Sequence, residues 1–265
     1  MRREKRDFAG GLYSHRMGKF PKGLAIPAAV IAGAVLIVIS SRIDAQSLPD
    51  SLHGFVVLSS KYVLNGLSQT EDQPSVRASL DFEHRSGFFV GGLLANVDYV
   101  AEDRFRTPRD IQVNLYAGYV WRRNAWMTNL TLSRYRYPGI ARNYDYSQAT
   151  INVSFRERYF LGISRSSDLL SVYDSADIFR GGVAVPFIEE LEFSANAGRL
   201  RSRGFGGASH TFWDVGLSRP IGKFAVDLRY YDSTNVSFSL LGNDARDSWV
   251  LSISYAFLPT VGRNH

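Results

Sequence analysis

Four histidines follow residue 46, and they are the side chains in this part of the chain that are best suited to acid–base chemistry. His84 comes soon after Asp81 and Glu83, and His210 directly follows Ser209. A serine, a histidine and a carboxylate can together hydrolyse esters, but such a triad is defined by its geometry in space. The Gly-x-Ser-x-Gly turn of many hydrolases is absent. We therefore expect hydrogen-bonded, non-catalytic histidines and no enzyme, with a lipid hydrolase as the alternative.

Metal and phosphate sites are not indicated by the residue pattern. The chain has no cysteine, and no two histidines have the spacing of metal ligands. Gly204-Phe-Gly-Gly207 follows three arginines, at positions 199, 201 and 203, but it lacks the Lys-Ser/Thr pair of a nucleotide-binding loop. We therefore predict no metal and no cofactor. If this loop faces outward, its arginines could meet the phosphates of lipopolysaccharide.

Polar and charged residues recur at alternate positions between apolar ones over most of the chain. The set that we single out is Arg77, Asp81, Glu83, Asn114, Asn152, Arg156, Asn196, Asp227 and Arg229. Unpaired groups of this kind are costly in the core of a soluble protein, whereas they are expected around a water-filled lumen. We predict that these nine residues line a pore, or that their mixed charges close its interior by ion pairing.

The elements that must position these residues are strands, because apolar residues alternate with polar ones at period two. From Trp249 to Phe257, for example, each odd position is large and apolar, and most even positions are small or polar. Runs of this kind, bounded by turn residues, are predicted at 52–64, 74–85, 88–99, 109–121, 125–136, 145–156, 158–166, 176–187, 190–200, 209–219, 223–232 and 247–257.

Connection lengths indicate how the twelve strands are arranged. Long and short connections alternate strictly along the chain, so that in an up-and-down meander all the tight turns lie at one end and all the loops at the other. Bacterial outer-membrane barrels have this asymmetry, and their strands have this length. The sequence predicts an all-β fold, a single up-and-down antiparallel transmembrane β-barrel of about 12 strands over residues 46–257, followed by a C-terminal tail at 258–265.

Aromatic residues near the predicted strand ends are typical of the rings that such barrels place at the two membrane interfaces. We assign to these girdles Tyr99, Tyr119, Trp121, Trp126, Tyr135, Tyr137, Tyr230, Tyr231, Trp249 and Tyr255.

The positive charge of the protein is concentrated at the N-terminus. Residues 1–45 hold eight Lys/Arg and three Asp/Glu, and the other 220 residues hold 23 and 22. This distribution argues against a nucleic-acid partner. A basic opening, an apolar run at 24–39 and a polar segment that ends at Ala45 predict a signal peptide over residues 1–45, cleaved after Ala45. Met17 is an alternative start, which would make the first sixteen residues an extension.

Several short motifs resemble the Gcw_chp family, whose members are classed as outer-membrane porins of uncharacterised function. They include Gly66-Leu-Ser-Gln-Thr70, Leu80-Asp-Phe-Glu-His-Arg-Ser-Gly-Phe-Phe89, Tyr137-Pro-Gly139 and the closing Ser252-Ile-Ser-Tyr-Ala-Phe257. The resemblance covers essentially the whole chain after the leader and carries no known catalytic residues. Asn65 departs from the pattern, since a basic residue is expected there, and so do the eight residues after Phe257.

Together, these features predict a passive, narrow, porin-like channel for small hydrophilic solutes in the outer membrane of a Gram-negative bacterium. Its expected partners are outer-membrane lipids, lipopolysaccharide, the barrel assembly machinery and small solutes. A lipid hydrolase and a non-conducting structural or adhesive barrel are the alternatives.

Overall fold

The computed structural model describes residues 50–98, 110–138, 144–169, 175–188, 190–203, 209–234 and 247–257. The predicted signal peptide, the C-terminal tail and the loop Gly204–Gly207 lie outside the described residues. No helix within these ranges is long and apolar enough to cross a membrane.

Twelve antiparallel strands form one closed barrel, as the alternating pattern predicts. They are β1 (Ser51–Ser59), β4 (Ser75–Glu83), β5 (Phe88–Val97), β6 (Asp110–Arg123), β7 (Trp126–Arg136), β8 (Tyr146–Phe155), β9 (Tyr159–Ser166), β10 (Ala176–Ile188), β11 (Leu191–Ser202), β12 (Ser209–Ile221), β13 (Phe224–Thr234) and β14 (Ser248–Phe257). Two short strands, β2 (Val63–Leu64) and β3 (Leu67–Ser68), pair with each other in the first loop.

The barrel closes between its first and last strands. Strand β1 pairs with β4 on one side and with β14 on the other, so no strand edge is left unpaired. Gly54 lies opposite Phe257, and an ideal Cβ on Gly54 would lie 2.3 Å from the Phe257 ring. The missing side chain therefore makes room for the last aromatic residue at the seam.

The two ends of the barrel differ as predicted. Short turns join β4–β5, β6–β7, β8–β9, β10–β11 and β12–β13, and the longer connections lie at the opposite end. Arg156 and Glu157 both have positive φ angles, of 54° and 56°, and the Arg158 amide donates to the Phe155 carbonyl oxygen at 3.1 Å. Three residues, 156–158, join the paired Phe155 and Tyr159, so this is a tight hairpin turn. The prediction that Arg156 continues the polar face of a strand is therefore wrong, because β8 ends at Phe155.

The outer surface of the barrel is an apolar band. Leu132, Leu161 and Trp249 are 62%, 72% and 63% exposed, and the neighbouring residues on each strand point inward. The outward charges on the described strands all lie within four residues of a strand end. An exposed apolar centre with charged margins is the arrangement that a hydrocarbon layer requires, so the fold is a transmembrane barrel.

Six of the ten residues that we assigned to the aromatic girdles lie on the outer face of the barrel. Tyr119, Trp121, Trp126, Tyr230, Trp249 and Tyr255 point outward near strand ends. Tyr135 and Tyr137 are instead buried, and Tyr231 has the inward parity of β13. Assigning these three to a girdle was wrong because closeness to a strand end does not determine which face a residue occupies. Tyr99 lies outside the described residues.

The first long connection folds into the barrel. Strand β1 ends at Ser59 and not at 64 as predicted, and residues 60–74, which we call the inner loop, form the short β2–β3 hairpin. Tyr62, Ser68 and Thr70 of this loop are at most 1% exposed. The turn at Asn65 and Gly66 has positive φ angles of 52° and 77°. Apolar side chains of the loop are removed from water when the loop packs inside the barrel, and this burial is favourable.

Candidate functional site: the barrel lumen

Eight of the nine residues predicted to line a pore lie on strands, on the face opposite the exposed apolar one. In a closed barrel this is the inner face. They are Arg77, Asp81 and Glu83 on β4, Asn114 on β6, Asn152 on β8, Asn196 on β11, and Asp227 and Arg229 on β13. Arg156 is the exception, because it is exposed in the β8–β9 turn.

Arg229 is the centre of an ion-paired network on β11, β12 and β13. Its guanidinium donates to Asp214 Oδ1 at 2.5 Å, to Asp227 Oδ2 at 3.0 Å and to Ser194 Oγ at 2.7 Å. Asp214 also accepts from the Asn196 amide at 2.7 Å. The Arg229 side chain is 3% exposed, and the side chains of Asp214 and Asp227 are 13% and 1% exposed. The opposite charges therefore compensate each other inside the barrel wall.

Two further acidic residues on β4 have partners on β6. Arg122 donates to both carboxylate oxygens of Glu83, at 2.6 and 3.2 Å, which is the bidentate geometry of a strong pair. The Tyr116 hydroxyl donates to Asp81. Gly91 on the intervening strand β5 leaves room for this contact, since an ideal Cβ there would lie 2.4 Å from Asp81 Oδ1. Ion pairs therefore occupy part of the interior.

Many other inner-face polar atoms have no partner in the described protein. They include Asp81 Oδ2, Gln112 Oε1, Asn114 Oδ1, Asn152 Oδ1 and Arg77 Nε. Each such atom costs about 1–3 kcal/mol when it is kept from water. Because these atoms are closed off from the surface, ordered waters bound inside the wall are the partners that they require.

The inner loop crosses the lumen and contacts strands on several sides. Arg77 of β4 lies over the ring of Tyr62, with 4.8 Å between the guanidinium carbon and the ring centroid. Asn65, at the tip, accepts from Arg180 of β10 through Oδ1 at 3.0 Å, and its carbonyl oxygen lies 2.7 Å from His210 Nε2 of β12. Since β10 and β12 are far from β1 and β4 around the barrel, the loop narrows the passage.

A cluster of buried tyrosines fills the side of the lumen next to the inner loop. Its members are Tyr62, Tyr116, Tyr135, Tyr137, Tyr144 and Tyr146, none more than 8% exposed. The rings of Tyr135 and Tyr146 are stacked with their centroids 4.4 Å apart. This packing fixes the loop against β6, β7 and β8.

The accessible part of the interior lies along the opposite wall. Several inner-face residues on β9 to β13 remain partly exposed, whereas most inner-face polar residues on β4 to β8 are buried. They are Phe160, Gly162, Arg180, Gly182, Glu192, Asn196, Gly198, Asp214 and Tyr231. Any passage through the barrel therefore runs beside this wall.

The two histidines considered for hydrolysis have other roles in the structure. His210 holds the tip of the inner loop. His84 Nδ1 lies 2.8 Å from Ser86 Oγ and accepts from the Ser86 amide at 3.2 Å, and its Nε2 is 3.7 Å from Asp50. These contacts stabilise an exposed turn, where water competes for each bond. Within the described ranges, no group of three or more His, Cys, Asp or Glu is placed to hold a metal ion.

Arg180 and the inner loop are the important features that the sequence reading missed. Arg180 lies between Phe179 and Gly181 on a predicted strand. The alternation of faces along that strand already indicated that its side chain points inward. Tyr62 and Leu64 are apolar residues close to a connection that we expected to be exposed to water. Their presence there could have indicated a loop that packs inside the barrel. No pattern in a single sequence indicates the contact between Asn65 and Arg180.

The sequence matches the model of a family described as a bacterial protein of unknown function (Gcw_chp) over residues 44–257. None of the curated proteins matches the chain. Among solved structures, the NanC porin is similar with a TM-score of 0.48 and 11% identity, over 79% of this chain and 100% of that one. The KdgM porin gives 0.47 and 9%, over 78% and 99%, and an outer membrane channel from Pseudomonas putida F1 gives 0.48 and 10%, over 89% and 100%.

Proposed function

The chain belongs to the Gcw_chp family, and we propose that it is a narrow, passive channel for small hydrophilic solutes in the outer membrane. The observation that carries this proposal is the partly exposed inner wall of β9 to β13, which includes the polar residues Glu192, Asn196 and Asp214. These side chains are open to water, which a hydrophilic solute requires. The open wall of β9 to β13 supplies the route, and the inner loop limits its width.

Conductance in a planar bilayer tests the proposal directly. Protein refolded in detergent is first checked for heat-modifiable migration on a gel, which reports a folded barrel. Discrete conductance steps are expected, and their size should increase when the inner loop is shortened by replacing residues 63–68 with two glycines. A folded barrel that gives no steps, with or without the loop, would contradict the channel and favour a non-conducting structural barrel.

The hydrolase alternative is tested on the same preparation. Since His84 and His210 are engaged in a turn and in loop attachment, we expect no esterase activity above that of empty micelles. Activity that is lost in His84→Ala or His210→Ala would establish the alternative instead. A decrease in stability without any change in hydrolysis is the result that their observed contacts predict.

We propose that the end of the barrel that carries the long loops binds lipopolysaccharide through a group of arginines, which we call the basic rim. Six arginines on or next to β7, β9 and β11 project from the loop end: Arg134, Arg136, Arg165, Arg199, Arg201 and Arg203. They share only two acids among the described residues of this rim, Asp145 and Asp177, each within 4 Å of two arginines. The excess positive charge at the margin of the apolar band suits the phosphates of an outer leaflet.

The basic rim is tested by binding lipopolysaccharide to the refolded protein. Arg165→Gln combined with Arg201→Gln should weaken binding by about fivefold per arginine, the factor for one cation near an anionic membrane surface. Arg123→Gln combined with Arg219→Gln is the matched control, because these arginines lie outward at the turn end. Equal losses in both pairs would contradict the rim.

We also propose that residues 1–45 are removed on export and that the barrel assembly machinery inserts residues 46–257. The supporting feature is the closed barrel, which has to be folded in the membrane as one unit.

A further inference from the structure

The inner-face arginines differ in how their charge is compensated. Arg229 and Arg122 each have carboxylate partners within the wall. Arg77 and Arg180 have no carboxylate within 4 Å among the described residues of the barrel. Both lie beside the inner loop, so uncompensated positive charge is concentrated at the place where the loop narrows the lumen. Low-dielectric walls strengthen its effect on a passing ion.

Arg180 is positioned to use its charge. Its Nη2 donates to Asn65 Oδ1 at 3.0 Å, and its Nε is buried without a protein partner. The Arg180 side chain is partly exposed on the inner face of β10. In contrast, Arg77 is only 5% exposed and lies against the ring of Tyr62. Asp214, on the same wall, is already engaged by Arg229 and Asn196. A guanidinium held by a neutral amide keeps its full charge for a ligand.

An apolar surface lies next to this guanidinium. Gly182 is two residues from Arg180 on the same face, and an ideal Cβ on Gly182 would lie 2.6 Å from the Phe160 ring. The ring therefore lies over Gly182, beside Arg180, and is itself partly exposed. A planar anion could place its charged end on the guanidinium and its apolar part against the ring.

We propose that Arg180, held by Asn65 and supported by the charge of Arg77, is an anion-binding site for small organic carboxylates. The site gives the channel its selectivity and rests on the proposed channel function. A carboxylate would accept from the guanidinium N–H groups that Asn65 does not use, since arginine favours paired contacts of this kind. Phe160 makes acids with a planar apolar group the preferred ligands.

Two measurements test the site, and only one of them depends on conduction. The first is binding of benzoate, with neutral benzamide as the comparison, to refolded protein in micelles by titration calorimetry. The second is the reversal potential in a potassium chloride gradient. Wild-type protein should bind benzoate in preference to benzamide and should favour anions. Arg180→Gln should lower anion preference about threefold, the Boltzmann factor for a unit charge at about 6 Å in water.

The variants separate charge from geometry. Arg180→Lys should keep the anion preference but bind benzoate roughly tenfold more weakly, since an ammonium cannot make the paired contact. Arg219→Gln removes the same charge from the outer surface and should change neither quantity. Heat-modifiable migration confirms that each variant is folded.

The outcomes distinguish this inference from the channel itself. A conducting protein whose ion preference and benzoate binding are the same in wild type and Arg180→Gln overturns the site and leaves the channel intact. Benzoate binding that Arg180→Gln abolishes, in a protein that does not conduct, supports the site and overturns the channel.

Discussion

Replacing Leu228 by arginine tests which face of the barrel meets the membrane. Leu228 is near the middle of β13, 45% exposed, and its register neighbours on the flanking strands are Leu217 and Leu251. All three belong to the outer apolar band. An arginine at the bilayer midplane of such a barrel costs about 2–4 kcal/mol. We therefore expect Leu228→Arg to lower the free energy of unfolding by that amount.

A matched control separates the effect of depth in the membrane from the effect of the added charge. Ile221 is the last residue of β12, points outward and is 55% exposed, and Arg219 lies two residues away on the same face. Ile221→Arg makes nearly the same chemical change at the interface, where the cost is about 0–1 kcal/mol. Both variants are refolded into lipid vesicles and unfolded with urea, and tryptophan fluorescence reports the transition.

The comparison has a clear refuting result. If Leu228→Arg is tolerated as well as Ile221→Arg, the centre of the outer face is not in hydrocarbon. If, in addition, the inward substitution Asn114→Leu on β6 stabilises the protein, the barrel is inside out and behaves as a soluble one.

Three further predictions follow from the packing of the wall and from the leader. Arg229→Met should cost about 3–5 kcal/mol because it leaves buried carboxylates uncompensated, and adding Asp227→Asn should recover part of that loss in the same urea titration. Gly118→Ala should reduce folding yield, since its Cβ would lie 2.1 Å from the Leu130 carbonyl oxygen, whereas Gly92→Ala meets only a leucine methyl at 3.3 Å and should fold normally. N-terminal sequencing of the protein from the envelope should begin near Gln46, and recovery of residues 24–39 on that protein would contradict the signal peptide.

The sequence by itself determined the architecture of this protein. Period-two alternation assigns each residue to one of two faces, and this parity is a local property of a strand. It put Leu228 outside and Arg229 inside without knowledge of any contact. The alternation of long and short connections then required an up-and-down meander, and a membrane barrel is the closed form of that meander with an apolar outer face. The parity argument failed at Arg156, where a tight turn that begins with two positive φ angles ends the strand.

Only the tertiary structure decided what the interior does with its polar residues. Arg229 and Arg180 look alike in the sequence, yet the register of β12 and β13 brings Asp214 to the first, and the packing of the inner loop brings Asn65, 115 residues away, to the second. Tyr135, near a strand end, was assigned to a girdle, but it packs inward under a loop whose fold depends on the opposite wall. Such contacts join residues that are distant in the chain, and they exist only after twelve registers and one closure are set. The barrel follows from local periodicity, whereas the charge of its lumen follows from long-range contacts.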